Sequence, residues 1–288
     1  MISSMTGFAR SQSATPLGEA LWELRSVNHR YLEVQVKIPE GFRSLEPDVR
    51  QAIARGIRRG KVDAVFSWRP VSGHTSTVTL DMDYARELIG HAERVAAEIR
   101  QPGSINPVAL MGWPGVLQQT DAALETVFPA VLTGLDRAVQ ELAASRAREG
   151  ARIRDMLEAR CAEVQSRVAA LRGRRPEVLS QMRDRINERV RGLAASIDPA
   201  RMEQEIALLA QKIDVAEELD RLEAHIAEFR GTMDQPEPAG RRLDFLLQEF
   251  NREANTLASK SADAETTRQA VDIKVLIEQM REQVQNVE

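Results

Sequence analysis

In Tyr31-Leu32-Glu33-Val34-Gln35-Val36-Lys37-Ile38 the apolar residues from Leu32 onward fall on even positions. That period-two alternation is the mark of a strand with one face in a core. Residues 2–10 and 18–26 are further short runs with β-branched or aromatic side chains between turn formers, and 61–69 and 76–80 read the same way. Between the third and fourth runs, Ser44-Leu45-Glu46-Pro47 opens a helix, with Ser44 as N-cap and Pro47 in its first turn. It runs to about Arg59 and stops at Gly60. The pattern predicts an antiparallel sheet with a helix on one face, an α+β layer. A second helix, capped by Asp81 or Asp83, ends near Arg100, and residues 101–115 are broken by Pro102, Gly103, Pro107, Pro114 and Gly115, a domain boundary or hinge.

From Asp121 onward the period is helical almost throughout, with interruptions at 173–176, at Asp198-Pro199 and at 231–240, where Pro236 and Pro238 stand. The expected fold class is therefore α+β: an N-terminal antiparallel sheet with helices at 1–115, a long helical arm at 116–230 and a C-terminal helical hairpin at 231–288. Long charged helices with narrow apolar seams bury little against their own domain. Self-association, a homo-oligomer, is the corresponding expectation.

Composition changes this picture little. Of 288 residues, 43% are hydrophobic and 28% charged, which excludes a disordered or collagen-like chain. Aromatics at 4% argue against an all-β sandwich. A single cysteine, Cys161, forms no internal disulfide and no thiolate metal site, in keeping with a reducing, cytoplasmic location. No run of about 18 apolar residues spans a membrane, and the opening residues lack an export signal. Charge matters more by position than by total. The net charge is −4, yet between Leu142 and Met202 fourteen arginines face eight acids. A near-neutral sum thus leaves room for a local basic track.

The richest chemistry lies in the last 75 residues. On the helix 242–260, Leu243, Leu246, Leu247, Phe250, Ala254 and Leu257 form a seam. At about 100° per residue, Asp244, Gln248, Asn251, Asn255 and Ser259 form a flanking stripe, while Glu249, Glu253 and Lys260 occupy a third face. The final helix repeats the design, with Lys274, Glu278, Arg281 and Gln285 flanking its seam. Antiparallel packing through the seams brings both flanking stripes to one surface; parallel packing separates them. Ser261 and Asp263 as turn caps favour the antiparallel arrangement. Asn and Ser are poor helix formers, so the amide stripe has either of two uses. It is a polar ladder fixing helix register, or the lining of a groove that binds sugar, phosphate or base edges. One helix earlier, Asp214, Glu218, Arg221 and His225 share a band. This is either an ordinary salt-bridged face or a set able to hold a divalent cation and a phosphate. With no clustered His/Cys set, any ion would sit mainly on carboxylate oxygen, the preference of Mg2+ or Mn2+. Gly7 reads as a β-bulge, and Arg25-Ser26-Val27-Asn28-His29-Arg30 as either a nucleic-acid contact or a polar hairpin loop.

Three long segments carry a resemblance: Ser4-Met5-Thr6-Gly7-Phe8-Ala9-Arg10; residues 23–33, Glu-Leu-Arg-Ser-Val-Asn-His-Arg-Tyr-Leu-Glu; and residues 240–260, which include Leu246-Leu247-Gln248-Glu249-Phe250-Asn251-Arg252-Glu253-Ala254-Asn255. Together with the ending at 281–288 they resemble the YicC/YloC family over the whole chain. Ala258 stands where many members have glycine, and Phe250 where methionine is common; both lie at or near the packing side. The resemblance implies a bacterial cytoplasmic endoribonuclease that cuts single-stranded RNA with a divalent metal, and a ring-like or clamshell oligomer, a hexamer.

On this reading the catalytic candidates are His225, Glu249, Glu253 and Asp244, with His225 as general acid or base. The metal candidates are Glu218, Asp220, His225, Glu249 and Glu278. RNA would be gripped by Arg25, Asn28, Arg30, Arg221, Arg241, Gln248, Asn251, Arg252, Asn255, Lys260 and Arg281. Base specificity should be modest, because stacking aromatics are scarce nearby. The alternative is a non-catalytic RNA-binding adaptor that presents RNA to another nuclease.

Overall fold

The structure, a computed structural model, describes residues 2–71, 77–120, 124–192, 199–235 and 238–288. Ser76, Asp121, Asp198 and Pro236 therefore lie outside the described residues. Four strands make the first sheet: β1 (Gly7–Thr15), β2 (Gly18–Val27), β3 (Leu32–Lys37) and β4 (Gly60–Pro70), in the order β1-β2-β4-β3. β1 and β2 form a hairpin, β2 and β4 pair antiparallel, but β3 runs parallel to β4, Val34 opposite Val62. The sheet is thus mixed rather than wholly antiparallel. Between β3 and β4 the chain passes through a 3-10 turn at Glu40–Leu45 and helix α1 (Glu46–Gly56). Such a crossover returns the chain to the end from which it left, as parallel pairing requires. The 3-10 turn also takes up Ser44, so Leu45, without a side-chain cap, precedes α1; Pro47 is in the first turn as expected.

Even-numbered residues of β2 and β4 point inward, so Ala20, Trp22, Leu24, Val62, Ala64 and Phe66 meet α1 and the start of α4 (Phe128–Gly192). The Trp22 indole donates to the Val131 carbonyl at 3.0 Å. Its ring packs on Phe66 at 4.8 Å, and Phe66 on Phe42 at 4.9 Å. Gly7 is no bulge: it sits in regular register opposite Ser26. It is small because α4 lies against it, where a Cβ would stand 2.9 Å from the Arg146 side chain.

A small two-stranded unit stands between β4 and α4: β5 (Thr77–Leu80) and β6 (Leu117–Thr120), antiparallel, enclosing α2 (Met82–Ala97) and α3 (Pro107–Met111). Asp81 caps α2, its carboxylate accepting from the Tyr84 N–H at 2.9 Å. α2 buries only Ala85. The region 101–115 is therefore structured, carrying α3 and the turn at Gly115.

α4 spans 65 residues and passes through Pro176 without a break, so the interruption expected at 173–176 is absent. Pro176 is exposed, where water can serve the carbonyl that the missing N–H leaves free. Its first part belongs to the sheet core, and Ile153, Leu157, Cys161, Val164, Val168 and Leu171 belong to a second. There α4 packs on α6 (Ala216–Asp234) and α8 (Ala264–Val284), and α7 (Gly240–Lys260) closes the ring between them, a four-helix bundle. α5 (Pro199–Lys212) returns beside the end of α4, with Arg183 paired to Glu203 at 2.6 Å.

The two cores are tied by the first residues of the chain. Ser4 bridges to Val287, Met5 N–H donates to Asn286 O at 2.7 Å, and Glu288 N–H to Ser3 O at 2.8 Å. Buried Arg146 of α4 donates from Nε to Ser4 O at 2.6 Å and from Nη2 to the Glu288 carboxylate.

Candidate functional site

α7 is the middle of three adjacent helices, α6 on one flank and α8 on the other. Its seam of Leu243, Leu246, Leu247, Phe250, Ala254 and Leu257 is buried, which aims the two remaining faces at the flanks. Arg281 near the end of α8 lies 3.6 Å from Asp244 near the start of α7. The two helices are therefore antiparallel, and Asp263 caps α8 by accepting from the Glu265 and Thr266 N–H groups.

On the α6 flank, opposite partners meet turn by turn. Lys260 donates to Glu218 at 2.7 Å, Arg221 to Glu253 at 3.4 Å, and His225 faces Glu249 and Glu253. One ligand atom from each of His225, Glu249 and Glu253 lies within 4.8 Å of the others. Glu253 is 3% exposed, whereas His225 and Glu249 are half-buried. The His225 ring is stacked on buried Phe250 at 6.1 Å, which in turn packs on Phe229. This wall holds the imidazole at the carboxylates. The hydrogen bond to Glu253, with the charges of Glu217 and Glu253, raises the Arg221 pKa above the usual arginine value, so its cation persists at any working pH. Glu218 is buried too, and among the described residues its Oε2 finds no hydrogen-bond partner.

One imidazole and two carboxylates form an oxygen-rich donor set, chemistry suited to Mg2+ or Mn2+ rather than to zinc. His225 and Glu249 are the more accessible members of the group, Glu253 the buried one.

The other sequence-derived candidates fall elsewhere. Asp220 turns to α4, accepting from Arg172 at 2.6 Å. Glu218 is engaged with Lys260, and Glu278 is exposed on α8 outside the three-residue group. Asp244 belongs to the α8 flank, where it also accepts from Gln248 at 2.9 Å. There Gln248, Asn251, Arg252, Asn255 and Arg281 line a groove of about 430 Å³ over Leu247. Arg252 lies between the two flanks, 3.9 Å from Glu249. Arg241 is exposed at the start of α7. Asn28 donates to Gln285 O at 2.6 Å, bringing the β2–β3 loop to the end of α8. Arg30 is exposed there beside the Tyr31 ring, and Arg25 is exposed on β2.

Sequence reasoning missed Phe250 as the support of His225, and Lys260 as the partner of Glu218. A signal existed. The pairs 218/260, 221/253 and 225/249 step in opposite directions along two helices with complementary charge.

Comparison with known proteins bears on this arrangement. The family description "Endoribonuclease YicC-like, C-terminal" matches residues 171–288, and "Endoribonuclease YicC-like, N-terminal region" matches 2–155. The chain belongs to the YicC-like endoribonuclease family. A protein of Haemophilus influenzae named probable endoribonuclease YicC is 40% identical over 288 residues, covering all of both chains. A Clostridioides difficile protein of the same name is 27% identical over 293 residues, again covering both completely. The boundary between the two family regions falls inside α4. Among the described residues no helix is long and apolar enough to cross a membrane.

Proposed function

We propose that this YicC-like chain is an endoribonuclease that hydrolyses single-stranded RNA with a divalent cation held by His225, Glu249 and Glu253. The observation that carries the reading is the meeting of these three side chains on the α6–α7 face, in a family described as endoribonucleases. A divalent cation bound there supplies electrophilic stabilisation of charge on the scissile phosphate.

The chain's own groups do the rest. Arg221, already cationic beside Glu253, offsets the charge of that buried carboxylate and offers further donors to a phosphate oxygen. His225 has two ring nitrogens, so one can face the carboxylates while the other exchanges a proton with the attacking or departing oxygen. Phe250 behind the ring restricts its orientation. Arg252, Arg281, Arg241, Lys260, Arg25 and Arg30 would guide the backbone, and Gln248, Asn251 and Asn255 would line the strand's path across α7. Self-association, with a hexamer as the form that the resemblance implies, is part of the same proposal. Its support is the apolar surface between residues 71 and 117.

The test is cleavage of a labelled single-stranded RNA by highly purified protein, with EDTA and with Mg2+ or Mn2+ restored, beside His225→Ala and Glu253→Gln. EDTA should stop cleavage and the metals restore it. His225→Ala should cut about 10²–10⁴-fold more slowly while still binding RNA. Normal cutting by both variants would place the site elsewhere. Binding without cleavage by the wild type would favour the adaptor.

A further inference from the structure

The amide stripe of α7 does not bond as a register ladder does. As a register ladder, its members would bond across to α8. They do not: Gln248 donates to Asp244 and Asn255 donates to Asn251, both at 2.9 Å and both along α7 itself. Among the described residues only one ion pair crosses the groove, from Arg281 Nε to the Asp244 carboxylate at 3.6 Å, longer than a hydrogen bond.

These internal bonds leave over a defined set of amide groups at the groove lining. An amide can make four hydrogen bonds, two through oxygen and two through nitrogen. With Asn255 donating to Asn251, the Asn251 nitrogen remains a free donor and the Asn255 oxygen a free acceptor, one turn apart. Gln248 presents a further free acceptor on the preceding turn. Each nucleobase offers neighbouring donors and acceptors on its Watson–Crick edge, and that edge is open only when the base is unpaired. Buried Leu247 gives the groove an apolar floor for a base, and Arg252 and Arg281 give cations at its walls for the attached phosphates. The volume of about 430 Å³ lies within the range of about 300–1,000 Å³ typical of ligand pockets.

We infer that this groove is a subsite that reads the edge of one unpaired base in the RNA, at a fixed position one or two nucleotides from the cut. The offset follows from α7 itself. The groove and the His225–Glu249–Glu253 group occupy opposite flanks of one helix, about 10–12 Å across with side chains, with Arg252 between them. No aromatic lines the groove; Phe245, the exposed aromatic of α7, stands under the Arg242 guanidinium at 5.7 Å. Discrimination therefore comes from hydrogen bonds rather than stacking, and duplex RNA, whose base edges are occupied, is refused.

This inference rests on the endoribonuclease reading for its offset, and its test separates the two. Cut sites are mapped on a single-stranded RNA with randomised bases, and binding of labelled A, C and U homo-oligomers is measured in EDTA. Both use the wild type, Asn251→Leu/Asn255→Leu and Asn251→Asp, with thermal melting as the check on folding. The wild type should discriminate at one position near the cut by about fivefold or more. The double leucine variant should flatten that preference whatever its overall rate of cutting, and Asn251→Asp, which turns a donor into an acceptor, should change which base is preferred. A wild type indifferent to base at every position, or variants that keep its preference unchanged, would overturn the subsite. Base-dependent binding lost in the leucine variant, with no cleavage by the wild type, would uphold the groove and remove the nuclease reading.

Discussion

Arg146 is 3% exposed, yet its guanidinium serves two separate parts of the chain, Ser4 and Glu288. Burial lowers its pKa from the usual arginine value, and the charge and hydrogen bond of Glu288 oppose that shift; the group stays cationic. Removing one member of a buried ion pair leaves the other unpaired, a cost of about 3–5 kcal/mol. Arg146→Ala should therefore lower the unfolding free energy by that order, read as a lower denaturant midpoint at unchanged slope. Arg146→Lys should recover only part, because an ammonium lacks the fork that reaches both partners. Urea unfolding followed by circular dichroism checks this, and an unchanged midpoint for the alanine variant would contradict it. The same residue explains the motif around Ser4: Gly7 is small because Arg146 lies beside it, and Ser4 is fully buried as a strand partner of Val287. None of these contacts has a local sequence signal, since the residues involved are more than a hundred positions apart.

At the scale of elements, Asp263 sets the turn between α7 and α8. Burial alone would raise its pKa, but the Thr266 hydroxyl and N–H, the Arg174 charge and the Glu265 N–H outweigh it and hold the carboxyl below its usual range. A depressed carboxylate stabilises the fold above its ordinary pKa of about 3.9, and that contribution is lost as pH falls through the lower folded value. Asp263→Ala should cost about 0.5–2 kcal/mol at neutral pH. In thermal melts against pH, the gap between wild type and variant should close in strong acid; a gap independent of pH would show the carboxylate charge to be irrelevant. This cap was legible because the acid directly precedes a periodic run, whereas for α2 the sequence left Asp81 and Asp83 both open. The strand 32–37 was legible from its alternation, and the α7 seam from its 3.6-residue period. Ser44 misled because a 3-10 turn consumed it, and the parallel direction of β3 depends on where the crossover returns, which is a tertiary matter. The candidate site divides similarly. Glu249 and Glu253 share a face by spacing, but Asp220, equally suitable as a residue type, is claimed by Arg172 on a helix that sequence alone could not bring alongside.

For the whole molecule, the distribution of exposed apolar side chains is uneven. Ten of the nineteen large exposed hydrophobics among the described residues lie between Val71 and Leu117, Val108 and Trp113 included. This region is the expected seat of the proposed self-association, since large exposed apolar patches mark interaction sites. Light scattering on a sizing column should give a mass several times that of the 32.2-kDa chain, and Val108→Glu/Trp113→Glu should shift it toward the monomer. A wild-type monomer at micromolar concentration would refute the association.

The single uninterrupted rod of α4 also decides how the polypeptide can be divided. Both family regions end within it, so the border between them marks no gap in the architecture. A cut there would leave the sheet core, whose last member on α4 is Leu142, with its helix in place, but would leave the bundle as three helices around an open apolar trough. The dependence runs one way: the bundle needs a stretch of α4 that lies before its own family region begins.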